Sequence, residues 1–410
     1  MGRILILADD LTGANDTAIQ FVKQGFSSLV IINADSANAD LFDSYDVISV
    51  NCDSRRLNAD EAYSAVYKIA KHFKDVSSVY KKVDSVLRGN SGQELGAVMD
   101  ALDIPLGLAA PSYPANRSVI ENGVLSNGTD ATLAFANGTG KKTKNIPLEK
   151  IRKGADEVTA FINSIESIEG TQVFVADAVM DDDLEIICKA SASLVKPHVL
   201  AGSAGLANQL ASSLGKTGTV PSVKPAALSP ALIIAGTRQA ETAAQIETLC
   251  ETFPTAALVR FDVAKATGGS TAGGNTKNAI AGAFDEASRR MKENPCSCII
   301  AVDSMFTPTA DAYTEGDEKS AIICEALGVL AEKLLDLFRF SMLLTTGGDT
   351  TLAVCRRLGV SAIEPLAEIC PGIPLGRIAG GHYDGRFIVS KSGRFGNPDS
   401  LVEIFNWSMR

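Results

Sequence analysis

The chain has 410 residues, 46% of them hydrophobic, and a formal net charge of -10; it is long enough for more than one core, and its charge argues against a nucleic-acid or anionic-membrane surface. No apolar stretch reaches the ~20 residues of a membrane helix, the N-terminus does not read as a signal peptide, and three histidines without an HxH or HExxH pattern give no basis for zinc. Eight cysteines (52, 188, 250, 296, 298, 324, 355, 370) include no CxxC pair, so we expect reduced, buried thiols in a cytoplasmic protein with no nucleic-acid or membrane partner.

The first predicted element is a buried parallel strand over 3–8, a short apolar run that ends in Asp9 and Asp10. Ligands of open α/β sheets sit at that end of the strands. Thr12 and the stretch from Asp16 to Val22 read as a helix start, with a helix predicted over 15–24; a capped turn after a core strand is the plainer alternative. Further strands are predicted at 28–33, 46–50, 77–81, 106–110, 172–176 and 197–201, and helices at 58–74, 91–102, 148–167, 180–194 and 203–213. This alternation implies a parallel sheet with crossover helices.

Three clusters stand at strand ends in this half. After the strand at 77–81, Lys82, Asp84, Ser85 and Arg88 fall on a turn with Gly89 and Gly92. An Arg fork suits a carboxylate, a Lys adds a point charge, and Asp84 suits hydroxyls; a surface ion cluster is the alternative. Asn116 and Arg117 lie on a proline-bounded loop that either faces the same cleft or is structural. The small residues of Ala201–Ala207 allow either close ligand approach or tight helix–sheet packing. Residues 120–147, rich in Asn, Gly, Thr and Lys, read as a long excursion or lid.

Residues 215–230, with three prolines and no apolar period, read as a linker. The second half repeats the βα rhythm, with strands at 231–235, 256–260, 298–302, 341–345 and 386–390 and helices at 239–251, 275–292, 318–338 and 350–357. Gly236-Thr237 and Thr346-Gly347-Gly348-Asp349-Thr350 are both strand–turn–helix junctions. On neighbouring strands they would aim two helix N-termini at one phosphate group, and Lys391-Ser392-Gly393-Arg394 adds a third turn. Gly138–Thr143 fails as a Walker A loop, and no GxGxxG occurs. Ala266–Asn275 reads as a flexible loop, and Pro371–Arg377 with Gly380-Gly381 as rigid turns. The fold expected is α/β, two α/β lobes with mainly parallel sheets, 1–220 and 231–410, and an inter-domain active-site cleft.

Six motifs in order carry a family likeness: Ala8–Ala14, Lys82–Gly89, Ala201–Leu206, Thr346–Thr350, Pro371–Gly376 and Lys391–Gly396. The chain resembles the four-carbon acid sugar kinase family. The resemblance implies an acid-sugar-binding N-terminal lobe and an ATP-binding C-terminal lobe, with phosphorylation of the terminal hydroxyl. Leu11 and Gly13–Thr17 resemble the D-threonate and D-erythronate kinases more than the 3-oxo-tetronate branch. It departs from the family in Gly236-Thr237, where Gly-Ser is usual, and in lacking a His-Pro-Leu-Thr-Pro segment within 126–147. The expected reaction is ATP-dependent phosphorylation of O4, with D-threonate as first substrate and D-erythronate, L-threonate or a 3-oxo-tetronate as alternatives. Arg88 and Lys82 would hold the carboxylate, with Asp9 and Ser85 beside them; Asp10 and Asp84 would orient hydroxyls, and Asp10 is favoured as base. Thr237, Gly347, Gly348, Asp349, Thr350 and Gly393 would surround ATP, with Mg2+ on the phosphates and its ligands unassigned; a homodimer is left open. An NAD-dependent hydroxy-acid dehydrogenase, which would usually carry GxGxxG, and a non-catalytic sugar-acid sensor are the alternatives from other classes.

Overall fold

A computed structural model describes residues 3–36, 41, 43–73, 76, 78–215, 230–268, 272–307 and 317–408. The chain divides into two compact units, Met1–Val220 and Pro221–Arg410. The linker expected at 215–230 lies almost wholly outside the described residues.

The first unit carries strands β1 (Ile4–Ala8), β2 (Ser28–Ile31), β3 (Val47–Asn51), β4 (Ser78–Lys82), β5 (Leu106–Ala110), β6 (Ile120–Glu121), β7 (Val124–Leu125), β8 (Thr143–Ile146), β9 (Val173–Ala176) and β10 (His198–Gly202). Its helices are α1 (Leu11–Val22), α2 (Ala59–Lys71), α3 (Ser91–Leu102), α4 (Ala131–Thr139), α5 (Leu148–Ile151), α6 (Ala155–Glu169), α7 (Asp181–Ser193) and α8 (Ala204–Ser213). The main sheet is parallel in the order β2-β3-β1-β4-β10-β5-β9-β8. Strand β1 is a fully buried run of Ile, Leu and Ala, as a sheet covered on both faces requires, whereas its neighbour β4 also buries Lys81 and Lys82. Phe21, Phe26, Tyr80, Leu106 and Phe174 share one core cluster, and burying each such side chain contributes about 1.5–3 kcal/mol. The chain lays β2 and β3 on one side of β1, then crosses to β4 on the other. The loops after β1 and β4 therefore diverge at a topological switch point.

The second unit carries β11 (Ala231–Ala235), β12 (Ala257–Phe261), β13 (Cys298–Val302), β14 (Met342–Thr346), β15 (Ala362–Cys370), β16 (Ile373–Ala379) and β17 (Phe387–Lys391). The helices are α9 (Ala240–Thr252), α10 (Val263–Thr267), α11 (Ala272–Glu293), α12 (Glu318–Leu337), α13 (Gly348–Arg357) and α14 (Ser400–Ser408). The order is β12-β13-β11-β14-β17-β16-β15. The first five strands are parallel, and β16 runs antiparallel to both its neighbours. Here the switch point falls between β11 and β14. Among the described residues no helix is long and apolar enough to cross a membrane, and all eight cysteines are free.

Several expectations are corrected. Helix α1 begins at Leu11 rather than 15, because Asp10 caps it by accepting from Gly13 N at 2.7 Å. Lys82 closes β4 instead of lying on a turn. The helix expected over 148–167 is split by Gly154, at φ 107°. Residues 120–147 are regularly folded rather than an irregular excursion: they form the β6–β7 hairpin, α4 and the edge strand β8. The buried Asp177 carboxylate pins them, accepting from Asn122 N (2.7 Å), Gly123 N (2.9 Å) and Asn145 Nδ2 (2.8 Å). Helix α4 meets α3 backbone to backbone, since a Cβ on Gly92 would lie 2.7 Å from Gly138 Cα and 2.8 Å from Ala134 O. Pro371–Arg377 is largely strand, because β15 and β16 pair as a hairpin around Gly372, at φ 74°. The flexible loop expected at 266–275 is mostly the ends of α10 and α11, with 269–271 outside the described residues.

Candidate functional site

In the first unit, β1, β3 and β4 end side by side, with Ala8 level with Asn51 and with Lys82. Asp9 and Asp10 follow β1, and Arg55 follows β3. Arg55 Nε donates to Asp9 Oδ2 at 2.7 Å and Nη1 to Asp10 Oδ2 at 2.5 Å, while Nη2 lies 3.7 Å from Asp84 Oδ2. One guanidinium thus bridges three carboxylates. Ser54 N and Arg55 N both donate to the Asp9 carbonyl, at 3.0 and 3.2 Å, which fixes the loop. Gly89, at φ 82°, packs on the Arg55 backbone, where a Cβ would stand 3.0 Å from the Arg55 carbonyl.

Asp84 binds Arg88 in two-point fashion, Nε to Oδ1 at 3.1 Å and Nη2 to Oδ2 at 2.6 Å, and also accepts from Val86 N and Arg88 N. Lys82 is buried, only 6% exposed, and forms no ion pair among the described residues. Its ammonium lies over Gly13, where a Cβ would come within 2.8 Å of Nζ and 2.7 Å of Asp10 Oδ1. Only glycine fits between them. Asp9 Oδ1 is buried with no hydrogen-bond donor among the described residues. Unsatisfied buried acceptors are rare, so this oxygen and the Lys82 ammonium together offer one acceptor and one cation to a polar anion. The Ser85 carbonyl accepts from Ser118 Oγ at 2.5 Å, while Asn116 and Arg117 are exposed.

The acids are tuned apart. Burial raises Asp9, but the charges of Arg55, Lys82 and Lys81 outweigh it and hold its pKa below the usual value. Asp10 is pushed up, by burial first and by the charge of Asp9, against the pull of Arg55. Asp84 resists burial through the Arg88 fork and titrates at about 2. Behind them, Lys81 and Glu94 form a fully buried ion pair at 2.8 Å, and Lys81 Nζ also donates to the Leu7 carbonyl at 3.1 Å.

In the second unit, β11, β14 and β17 end in register, Ala235 beside Thr346 and Thr346 beside Lys391. The three glycine turns expected from sequence therefore lie together. Gly347, at φ 100°, opens α13 without a side-chain cap, and α9 likewise starts at Gln239 without one; such helix starts leave N–H groups for an anion. The turns pack so closely that a Cβ on Gly236 would collide with Thr350 Oγ1, and one on Gly393 with Thr237 Oγ1. Gly348, Asp349 and Thr350 form the first turn of α13.

Asp9, Asp10, Lys82, Asp84, Ser85 and Arg88 are thus brought to one sheet end, and Thr237, Gly347, Gly348, Asp349, Thr350 and Gly393 to another. The Ala201–Ala207 junction is packing: a Cβ on Gly202 would meet Leu206, the Ala110 carbonyl and the Tyr80 hydroxyl. Sequence reasoning missed Arg55 and the Lys81–Glu94 pair. The signal for Arg55 was the polar run Asn51-Cys52-Asp53-Ser54-Arg55-Arg56 after a predicted strand. Among the described residues no group of three His, Cys, Asp or Glu could hold a metal by itself.

The chain matches the family models of a sugar-binding N-terminal domain, over 4–134 and 129–210, and a nucleotide-binding C-terminal domain, over 232–401. It is 28% identical to a D-threonate kinase of Salmonella typhimurium, covering 98% of this chain and 97% of that one. It is 25% identical to a D-erythronate kinase of Heliobacterium modesticaldum, covering 99% and 97%. A 3-oxo-tetronate kinase of Methylobacterium radiotolerans is 26% identical over 96% of each chain. The fold matches a crystal structure of a Haemophilus influenzae protein at TM-score 0.75 and 21% identity, covering 98% of this chain and all of that one. Both family models follow the chain in order across its two units, and the chain belongs to the four-carbon acid sugar kinase family and is a phosphotransferase.

Proposed function

We propose that the protein transfers the γ-phosphate of ATP to O4 of D-threonate in the cytoplasm. The observation that carries the reading is the buried Lys82 ammonium without an ion-pair partner among the described residues, set over Gly13 beside Asp10 and within one sheet end of the donor-less Asp9 Oδ1. A hydroxy acid supplies what these groups lack, a carboxylate for the cation and a hydroxyl for the acceptor. Relatives named D-threonate kinase support the choice of acid; D-erythronate, L-threonate and the 3-oxo-tetronates are the alternatives. The free cysteines suit a reducing compartment.

In this reading Lys82 and the outer edge of Arg88 hold the substrate carboxylate, and Asp9 accepts from a hydroxyl. Asp10 takes the O4 proton, since its raised pKa suits a base better than that of Asp84. Asp84, ionised and committed to Arg88, keeps the Arg88 fork in place, with Ser85 beside it. Thr237, Gly347, Gly348, Thr350 and Gly393 bring backbone and hydroxyl groups to the phosphates of ATP. A Mg2+ ion takes few protein ligands and completes its shell with phosphate oxygens and water, which agrees with a site that has one carboxylate, Asp349, in its glycine turns. When bound, the ion neutralises charge on the γ-phosphate.

The test is an ADP-release screen over D-threonate, D-erythronate, L-threonate and the 3-oxo acids, with Arg88→Ala alongside. We expect the highest kcat/KM on D-threonate, and a raised KM for the acid in Arg88→Ala with ATP affinity unchanged. No turnover with any of these acids would sink the reading, and an NAD-linked oxidation of them would replace it.

A further inference from the structure

Beneath the turns that follow β11, β14 and β17 lies a third buried lysine, after Lys81 and Lys82 of the first unit. Lys391 is 1% exposed. Its ammonium donates to Thr242 Oγ1 at 3.0 Å, to the Ser392 carbonyl at 2.9 Å and to the Gly393 carbonyl at 3.4 Å. Thr242, fully buried in α9, donates its own proton to the Gly393 carbonyl at 2.7 Å. Among the described residues no carboxylate forms an ion pair with Lys391, in contrast to Lys81 and its Glu94.

A trans peptide unit points its carbonyl and its N–H in opposite directions, and the described chain has no cis bond. The Ser392 and Gly393 carbonyls are turned in toward Lys391 and Thr242. The N–H groups of Gly393 and Arg394 are therefore turned away from them, and neither donates a hydrogen bond among the described residues. The Lys391 carbonyl meanwhile accepts from Gly347 N at 3.0 Å. The same residue thus ties the third turn to the positive-φ glycine that opens α13.

We propose that Lys391 and Thr242 are positioning residues for the nucleotide phosphates, holding two successive N–H groups of the Gly393 turn toward the anion while the ammonium sets a fixed positive charge beneath it. This rests on reading the second unit as the ATP site. Lysine burial adds a signature: desolvation brings Lys391 down to about 8, opposed by the field of Glu241 in the first turn of α9. Its other hydrogen-bond partners, Thr242 and two backbone carbonyls, do not titrate. Bound phosphate favours the ammonium, so nucleotide affinity falls as pH rises through about 8.

The experiment is calorimetric binding of a non-hydrolysable ATP analogue below and above pH 8 to wild type, Lys391→Met, Thr242→Val and Gly347→Val, with D-threonate binding measured beside it. Lys391→Met should weaken analogue binding roughly ten- to a hundredfold and flatten its alkaline fall, with binding of the acid unchanged. Thr242→Val should weaken it by roughly threefold or more and leave the alkaline fall in place. A folded Lys391→Met that binds like wild type, with the same pH profile, overturns the proposal. Should Lys391→Met not fold, unchanged binding by Thr242→Val or a wild-type profile flat through pH 8 overturns it instead. If Gly347→Val destroys analogue binding while the other two variants do not, only the positioning role fails; if Gly347→Val also binds normally, the ATP site itself is misassigned.

Discussion

The two units put ligand groups at the same topological place with different materials. Both use the switch point of a parallel sheet, between β1 and β4 in the first unit and between β11 and β14 in the second. The first furnishes it with charged side chains drawn from three strand ends and balanced around Arg55. The second furnishes it with glycine turns, uncapped helix starts and one lysine beneath them. On the proposed assignment of the two sites, the difference follows the ligand. A small hydroxy acid is recognised by which hydroxyl meets which carboxylate, and that requires directed side chains. A phosphate chain is recognised by charge and close backbone approach, for which glycine serves better than any side chain.

That division is sharpest if variants in one unit leave the other ligand untouched. The largest effect is expected from Asp10→Asn. Loss of the proposed general base should lower kcat by about 10²–10⁴-fold, and ATP binding should not change; steady-state ADP release and analogue titration read the two separately. Arg55→Met comes next. It leaves Asp9, Asp10 and Asp84 as close like charges, and breaking such a buried network is destabilising by about 3–5 kcal/mol. The loss should shrink as pH is lowered and the acids neutralise, which thermal melts at several pH values will reveal. Gly347→Val places a branched side chain at φ 100° against Thr237 and Thr350, a strain of about 1–3 kcal/mol. It should raise the KM for ATP and not for the acid; an equal rise in both would break the comparison.

The smallest effect is on acid stability. Asp84 falls from the ordinary 3.8 to about 2. A carboxylate lowered in the folded state contributes stability above its ordinary pKa, and that contribution is lost as pH falls through the folded value. The window here is therefore about pH 4 down to 2, with at most about 2–3 kcal/mol at stake. Urea titrations across that window should show a shallower acid slope in Asp84→Asn than in wild type.

Most of the sheet was legible because strands buried on both faces are written as apolar runs, as in Ile4–Ala8 and Ala231–Ala235. The strands that escaped notice lack that mark. β8 reads Thr-Lys-Asn-Ile and is half covered at an edge. β15 and β16 carry Pro365 and Pro374 around a glycine turn, chemistry that sequence patterns assign to loops. In the sites, residues adjacent to strand ends were found because position alone marks them. Arg55 was not, because its partners are 46 and 45 residues away and nothing local predicts them. Lys391 was read as part of a turn, and only its inward hydrogen bonds reveal that it shapes the turn from below.

The glycine pair Gly92 and Gly138 gives the 120–147 segment a second hold on the first unit's site, besides Asn127 Nδ2, which donates to the Val86 carbonyl of the Asp84–Arg88 turn at 3.3 Å. With no side chain between α3 and α4 where Gly92 meets Gly138, a methyl group on either glycine would wedge the helices apart. Glu94 sits two residues along α3 from Gly92 and faces Lys81, whose field reaches Asp9. Alanine at position 138 would therefore be felt as a change in acidity at the far end of β1. Optimising this enzyme for another acid by grafting a different 120–147 segment would require that seam to be carried over intact.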